Sequence, residues 1–236
     1  MKRHINAAFM KGNRHMQRKL FIVIVVLSVL LNACQAPSAS ARDSIASFDA
    51  LLKALPDHVG PDDSIGGYAL ESPDGSTRFL WSRDYSTSVY DAWLETDIMP
   101  FVEAGLDTTR LPEGIVHEGL LVMGADFGSN PPSYPGEATP LAAFGEIAKH
   151  KPDSLQYLKA PDHFVIDLGG GNLFEWASNI QAGDKDIVFV LDPLILSGAG
   201  VDPSKVPGWI FTKVDTIDGK GNRVQTDKLL KPFNIQ

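Results

Sequence analysis

The sequence predicts an α+β fold: two similar α-β-β-β-turn-β units in tandem, related by pseudo-twofold symmetry, with mainly antiparallel sheet. Three observations predict it. Phe79 to Ile115 matches Phe174 to Ile210 without a gap, at an offset of 95 residues. In each half a stretch with helical spacing comes first. Strand-like runs then follow as hairpins, not as the alternating βαβ units of a parallel sheet.

The internal match contains nine identities in 37 positions: Phe79/Phe174, Trp81/Trp176, Asp91/Asp186, Asp97/Asp192, Ala104/Ala199, Gly105/Gly200, Asp107/Asp202, Pro112/Pro207 and Ile115/Ile210. Average residue usage gives roughly two by chance. At an offset of 96, Ala46/Ala142, Phe48/Phe144, Lys53/Lys149, Pro56/Pro152 and Asp57/Asp153 also match. Repeats of this kind mark a duplicated unit.

In the first half, Ser44 is the expected N-cap and Ile45, Phe48, Leu52 and Leu55 form a helical stripe. In the second, Thr139 caps, Pro140 takes the first helical position, and Leu141, Phe144, Ile147 and Ala148 form the stripe. Pro56 and Pro152 stop the two helices. A hairpin follows in each half. Residues 68–72 and 78–82 flank Pro73-Asp74-Gly75-Ser76, whose Asp-Gly pair is a strong turn signal. Residues 163–167 and 172–177 flank Gly169-Gly170-Gly171. A third strand is clear in the β-branched and aromatic run 186–191, and weaker in its counterpart 92–96. A compact turn then carries the shared pattern Ala-Gly-(Leu/Val)-Asp-x-(Thr/Ser)-(Arg/Lys)-(Leu/Val)-Pro. The last strand starts at Ile115 or Ile210, and Leu120 to Met123 extend the first copy. The units thus cover 44–128 and 139–236, joined by a proline-rich linker at 129–138. Each half is long enough to fold alone, although duplicated units commonly cover each other's apolar faces.

The N-terminal region reads differently. Leu20 to Leu31 is apolar except for Ser28, and basic residues precede it. This is the pattern of an export signal. Twelve residues rise only about 18 Å as a helix, against a hydrocarbon core of about 30 Å. Met16 is an alternative start that would shorten the basic region. At Leu31-Asn32-Ala33-Cys34 the chain resembles the lipobox of bacterial lipoproteins. The resemblance covers residues 16–35. It implies a signal peptide at 1–33, a diacylglycerol on the Cys34 thiol, cleavage before Cys34, acylation of the new amino group, and anchoring in a lipid bilayer. Two or more acyl chains hold a protein stably where one does not. Gln35 stands where Asp favours inner-membrane retention in that family, so the resemblance implies the outer membrane in a cell with two. Residues 34–43 then serve as the lipidated Cys and a flexible tether.

The 236-residue chain has a formal net charge of −8, and residues 1–33 carry six positive charges and no acidic ones. Their removal leaves −14. A surface so acidic repels phosphate backbones, which argues against nucleic acid as a partner. Cys34 is the sole cysteine, so no disulfide forms within the chain.

Candidate chemistry is sparse. Gly169-Gly170-Gly171-Asn172 lacks the Lys and Ser/Thr of a phosphate-binding loop and precedes a strand, so it reads as a turn. Asp107 and Asp202 are the best paired carboxylates, but each sits where a turn needs a cap. Asp184-Lys-Asp186 and Asp218 to Asn222 fail the ligand spacing of a calcium loop. His58, His117, His150 and His163 lack zinc-motif partners. Asp162-His163 could supply half of an acid–base pair, or His163 could simply open a strand. Trp81 and Trp176 recur in register, as core residues do. Trp93 and Trp209 differ between the copies; Tyr85, Tyr90 and Trp93 would form either an aromatic patch or part of the packing.

No residue is assigned to catalysis or metal binding, no cofactor is expected, and the ligand stays open. The leading expectation is a membrane-anchored, non-catalytic module that contacts a protein, glycan or small ligand. The alternatives are an envelope hydrolase using Asp107 and Asp202, and a solute-binding lipoprotein of a transporter.

Overall fold

Alternation of large apolar residues with others decides which face of each strand turns inward. In Thr77–Ser82 the inward series is Thr77, Phe79 and Trp81; in its counterpart Leu173–Ala177 it is Phe174 and Trp176. A computed structural model describes residues 39–83, 90–125, 139–180, 185–217 and 222–235. Cys34, the leader, the linker 129–138, Tyr85, Asp184 and Asp218 lie outside the described residues.

The fold is mixed α+β, with two six-stranded antiparallel sheets and few helices. The first half holds helix α1 (Ala39–Ala54), strands β1 (Val59–Asp62), β2 (Gly67–Glu71), β3 (Thr77–Ser82) and β4 (Ala92–Asp97), the short helix α2 (Met99–Glu103), a 3-10 turn at Thr108–Arg110, and strands β5 (Val116–His117) and β6 (Leu120–Ala125). The second half holds α3 (Pro140–His150), β7 (Leu155–Leu158), β8 (His163–Asp167), β9 (Leu173–Ala177), β10 (Ile187–Leu191), α4 (Pro193–Gly198), a 3-10 turn at Pro203–Lys205, β11 (Ile210–Ile217) and β12 (Arg223–Phe233). The sheet orders are β1-β2-β3-β4-β6-β5 and β7-β8-β9-β10-β12-β11.

Several expectations change. Helix α1 starts at Ala39, within the stretch read as a flexible tether (34–43), so Ser44 is not its cap. The run Ala39-Ser-Ala-Arg42 is compatible with helix, and Ser44 and Ser47 are buried inside it. Ser47 donates its hydroxyl to the Ala177 carbonyl at 2.8 Å. Thr139, by contrast, caps α3 as expected, accepting from the Ala142 amide. Each half has one edge strand, β1 or β7, that its sequence did not announce. The "turn" after the third strand holds a short helix and a 3-10 turn. Leu120–Ala125 is a strand in its own right, β6, and β12 is its long counterpart.

Residues 38–236 form one compact unit. A single cluster joins Phe48, Phe79, Trp81 and Phe101 of the first half to Phe144, Phe174, Trp176 and Phe189 of the second. Residues that match in sequence also meet in space. Phe79 stacks on Phe174 with centroids 4.1 Å apart, and Phe48 stacks on Phe144 at 3.8 Å. Helix α1 lies on α3 and against β7 and β9, while α3 lies against β3. Each helix therefore covers strands of the opposite half.

Candidate functional site

The paired aspartates lie beside the seam between the halves. Gly105 and Gly200 have φ of 103° and 102°, which L side chains rarely adopt. A Cβ on Gly105 would lie 2.9 Å from the Gly200 carbonyl oxygen, and one on Gly200 would lie 2.8 Å from the Gly105 oxygen. This close approach is what glycine permits at both positions. It also lets two reciprocal bonds form: the Asp107 amide donates to Ala199 (2.8 Å) and the Asp202 amide to Ala104 (2.9 Å).

The carboxylates turn back on their own turns. Asp107 Oδ1 accepts from the Thr109 amide and hydroxyl, at 3.1 and 2.6 Å. Asp202 Oδ1 does the same with Ser204, at 3.1 and 2.6 Å. Bonds from Lys205 and Ser204 hold the Asp202 carboxyl down at about 2, and the Thr109 hydroxyl and amide lower that of Asp107. A general acid for glycoside hydrolysis needs the opposite shift. Both side chains are caps.

The two hairpin turns are also accounted for. Gly169 to Asn172 closes the β8–β9 hairpin, with the Asn172 amide donating to Gly169 at 3.0 Å. Buried Lys228 reaches into it, donating to the Gly171 carbonyl and to Asp192, each at 2.8 Å. In the first half, Asp74 accepts from Ser72 and Ser76 in the β2–β3 turn. Lys231 crosses from β12, ion-paired with Asp74 at 3.0 Å and hydrogen-bonded to Ser76. Burial works to raise the Asp74 carboxyl, but the Ser72, Ser76 and Lys231 bonds outweigh it and leave it well below the usual range. Two lysines of one strand therefore clamp the corresponding turns of both halves.

The aromatic patch does not form among the described residues. Trp93 is buried, its indole N–H donating to Glu95 at 3.0 Å, and Tyr90 is half-buried against Gly124. Trp209 is buried near Phe101 and Lys231. Trp81 and Trp176 are fully buried, as their recurrence implied.

A polar network that the sequence reading missed lies on the outward face of the first sheet. Arg78 bridges Asp62 (3.0 Å) and Glu95, and Glu95 in turn holds Trp93. The signal was available: at the offset of 95, Arg78 and Glu95 stand where the second half has Leu173 and Val190. His163 opens β8, buried, with Nδ1 3.5 Å from Glu175 Oε2. Its neighbour Asp162 is occupied by the Tyr157 hydroxyl at 2.6 Å.

No cluster of three His, Cys, Asp or Glu side chains among the described residues is placed to hold a metal ion, and none of their helices is long and apolar enough to cross a membrane. Searches against family models, curated proteins and solved structures find no match for the chain.

Proposed function

We propose that the protein is a lipid-anchored envelope protein whose folded body is a non-catalytic interaction module, built by tandem duplication about a pseudo-twofold axis. The duplication is supported by residue-for-residue reciprocity: Phe79 on Phe174, Phe48 on Phe144, and the exchanged Asp107 and Asp202 amide bonds. Isologous contacts of this kind are the mark of two-fold related units. The anchor is supported by the lipobox pattern at Leu31 to Cys34.

The observation that carries the non-catalytic reading is the fate of the paired carboxylates. Asp107 and Asp202, the best catalytic candidates, accept the amides of their own turns and have depressed acidities. A hydrolase built on them would need one carboxyl free and protonated near neutral pH.

Two measurements test this reading. Cells expressing the full chain are fed an alkyne-bearing fatty acid. The mature protein should carry the label and sediment with membranes, and Cys34→Ser should abolish both. An unlabelled mature N-terminus at another position would refute the anchor. Separately, the purified protein is incubated with cell-wall glycan. Release of reducing ends, abolished by Asp107→Asn, would make the protein a hydrolase instead.

A further inference from the structure

The two halves differ at their last hairpin. In the first, His117 pairs with Leu120 across the two-residue turn Glu118-Gly119, whose φ values are both positive. At the same offset of 95, the equivalent of His117 is Thr212, which pairs with Lys228. Fifteen residues separate these two where the first copy has two. β11 and the first part of β12 therefore form a two-stranded ribbon: β12 pairs with β10 only from Leu229 to Phe233.

The ribbon leaves β11 as a sheet edge, and edges are normally blunted by shortness, proline, bulges or charged side chains; β11 has only the last, Lys213 and Asp215, which admit a strand that answers both charges. The other three edges follow that rule: β1 has four residues including Pro61, β5 has two, and β7 has four. β11 has eight residues with neither proline nor glycine, and Ile210 and Phe211 at its base are exposed. Such an edge is a template for another strand.

We propose that β11 is a dimerisation strand, pairing antiparallel with β11 of a second copy about a two-fold axis at Val214. Symmetric pairing of identical strands leaves few registers, and their charges separate them. Centring on Lys213 sets Lys against Lys; centring on Asp215 sets Asp against Asp. Only the Val214-centred register places Lys213 opposite the partner's Asp215, and it does so twice. The same register places Thr212 opposite Thr216. Opposite-charge and Thr–Thr pairs are among those that stabilise antiparallel sheets. Within one copy, Lys213 already pairs with Asp227 at 2.7 Å and Asp215 with Arg223. The joined sheet thus carries the row Asp227, Lys213, the partner's Asp215 and the partner's Gln225, with the partner's Arg223 reaching that Asp215 diagonally. The proposal does not depend on the anchor.

The test uses full-length chains carrying two different tags, co-expressed in cells and purified in detergent. Wild-type copies should co-purify. Lys213→Glu alone and Asp215→Lys alone should each lose self-association at least tenfold, because each sets like charges together twice. Co-expressing the two variants should restore it. The negative charge placed at position 213 of the first variant then faces the positive charge placed at position 215 of the second. The first variant's Asp215 still faces the second's Lys213. A merely unfolded ribbon is not rescued by mixing. Val214→Cys should give a disulfide dimer whose cross-linked peptide joins position 214 to position 214. The proposal fails if wild-type copies do not co-purify, or if the mixed pair is no stronger than either variant alone. Loss in both single variants without rescue also overturns it, and points to a different protein on this edge.

Discussion

At the scale of single residues, the sequence marks positions by what the backbone requires, and those marks can be mistaken for chemistry. Asp107 and Asp202 recur because each begins a 3-10 turn whose amide needs an acceptor. Their depressed acidities give a signed prediction. A carboxyl whose folded-state value lies below its unfolded value of 3.8 contributes stability that is fully present above that value and fades as pH falls through the folded one. For Asp202 that window runs from about 4 down to about 2. Asp202→Asn should therefore lower Tm at pH 6, with the gap to wild type narrowing steadily from about pH 4 and mostly gone by about pH 2; thermal melts across this range check it. A gap that does not narrow between about pH 4 and about pH 2 would mean the side chain acts through packing instead. Gly105 makes the complementary point. Its φ of 103° and the carbonyl 2.9 Å from its absent Cβ leave no room for a side chain. Gly105→Ala should cost more than about 2 kcal/mol in urea unfolding, a larger loss than at an unconstrained surface glycine.

At the scale of elements, what could be read depended on whether the signal was local. The β2–β3 and β8–β9 hairpins were legible because Asp74-Gly75 and the Gly169 to Gly171 run dictate turns, and period-two alternation flanks them. β10 was legible because Ile187 to Leu191 is buried on both faces and reads as an unbroken apolar run. β1 and β7 were not, because they are four-residue edge strands with no clear in-out alternation, Pro61 interrupts one of them, and their register comes from β2 and β8. β12 escaped because Arg223 to Lys228 is polar apart from Val224, and both its lysines are buried for reasons that lie elsewhere in the chain. The clamps of Lys228 and Lys231 depend on sequence separations of 57 and 155 residues, which no local pattern encodes. Lys228→Met keeps the aliphatic packing but leaves the Gly171 carbonyl and Asp192 without their donor. It should destabilise by about 1–3 kcal/mol, read from the urea midpoint with an unchanged slope. A loss under about 0.5 kcal/mol would show that water replaces the lysine.

At the scale of the whole molecule, the proposed duplication is a statement about cooperativity. Two copies that merely followed one another would keep separate cores, and each half would fold alone. Here α1 covers β7 and β9, α3 lies against β3, and Phe79 stacks directly on Phe174, so the largest apolar groups of each half are buried by the other. Truncating the chain after the first half would expose Phe48, Phe79 and Trp81 together, a loss that no local contact can offset. The indoles supply probes on both sides: Trp81 and Trp93 in the first half, Trp176 and Trp209 in the second. With tryptophans retained in only one half at a time and replaced by Phe in the other, urea unfolding followed by fluorescence should give coincident midpoints and slopes for the two variants, after correction for the stability each loses. Gly105→Ala, placed at the seam, should move both midpoints together, because the transition it perturbs is shared. Two separated transitions, or a seam substitution that shifts one probe and not the other, would mean that the halves are independent domains and that their reciprocal contacts contribute little to folding.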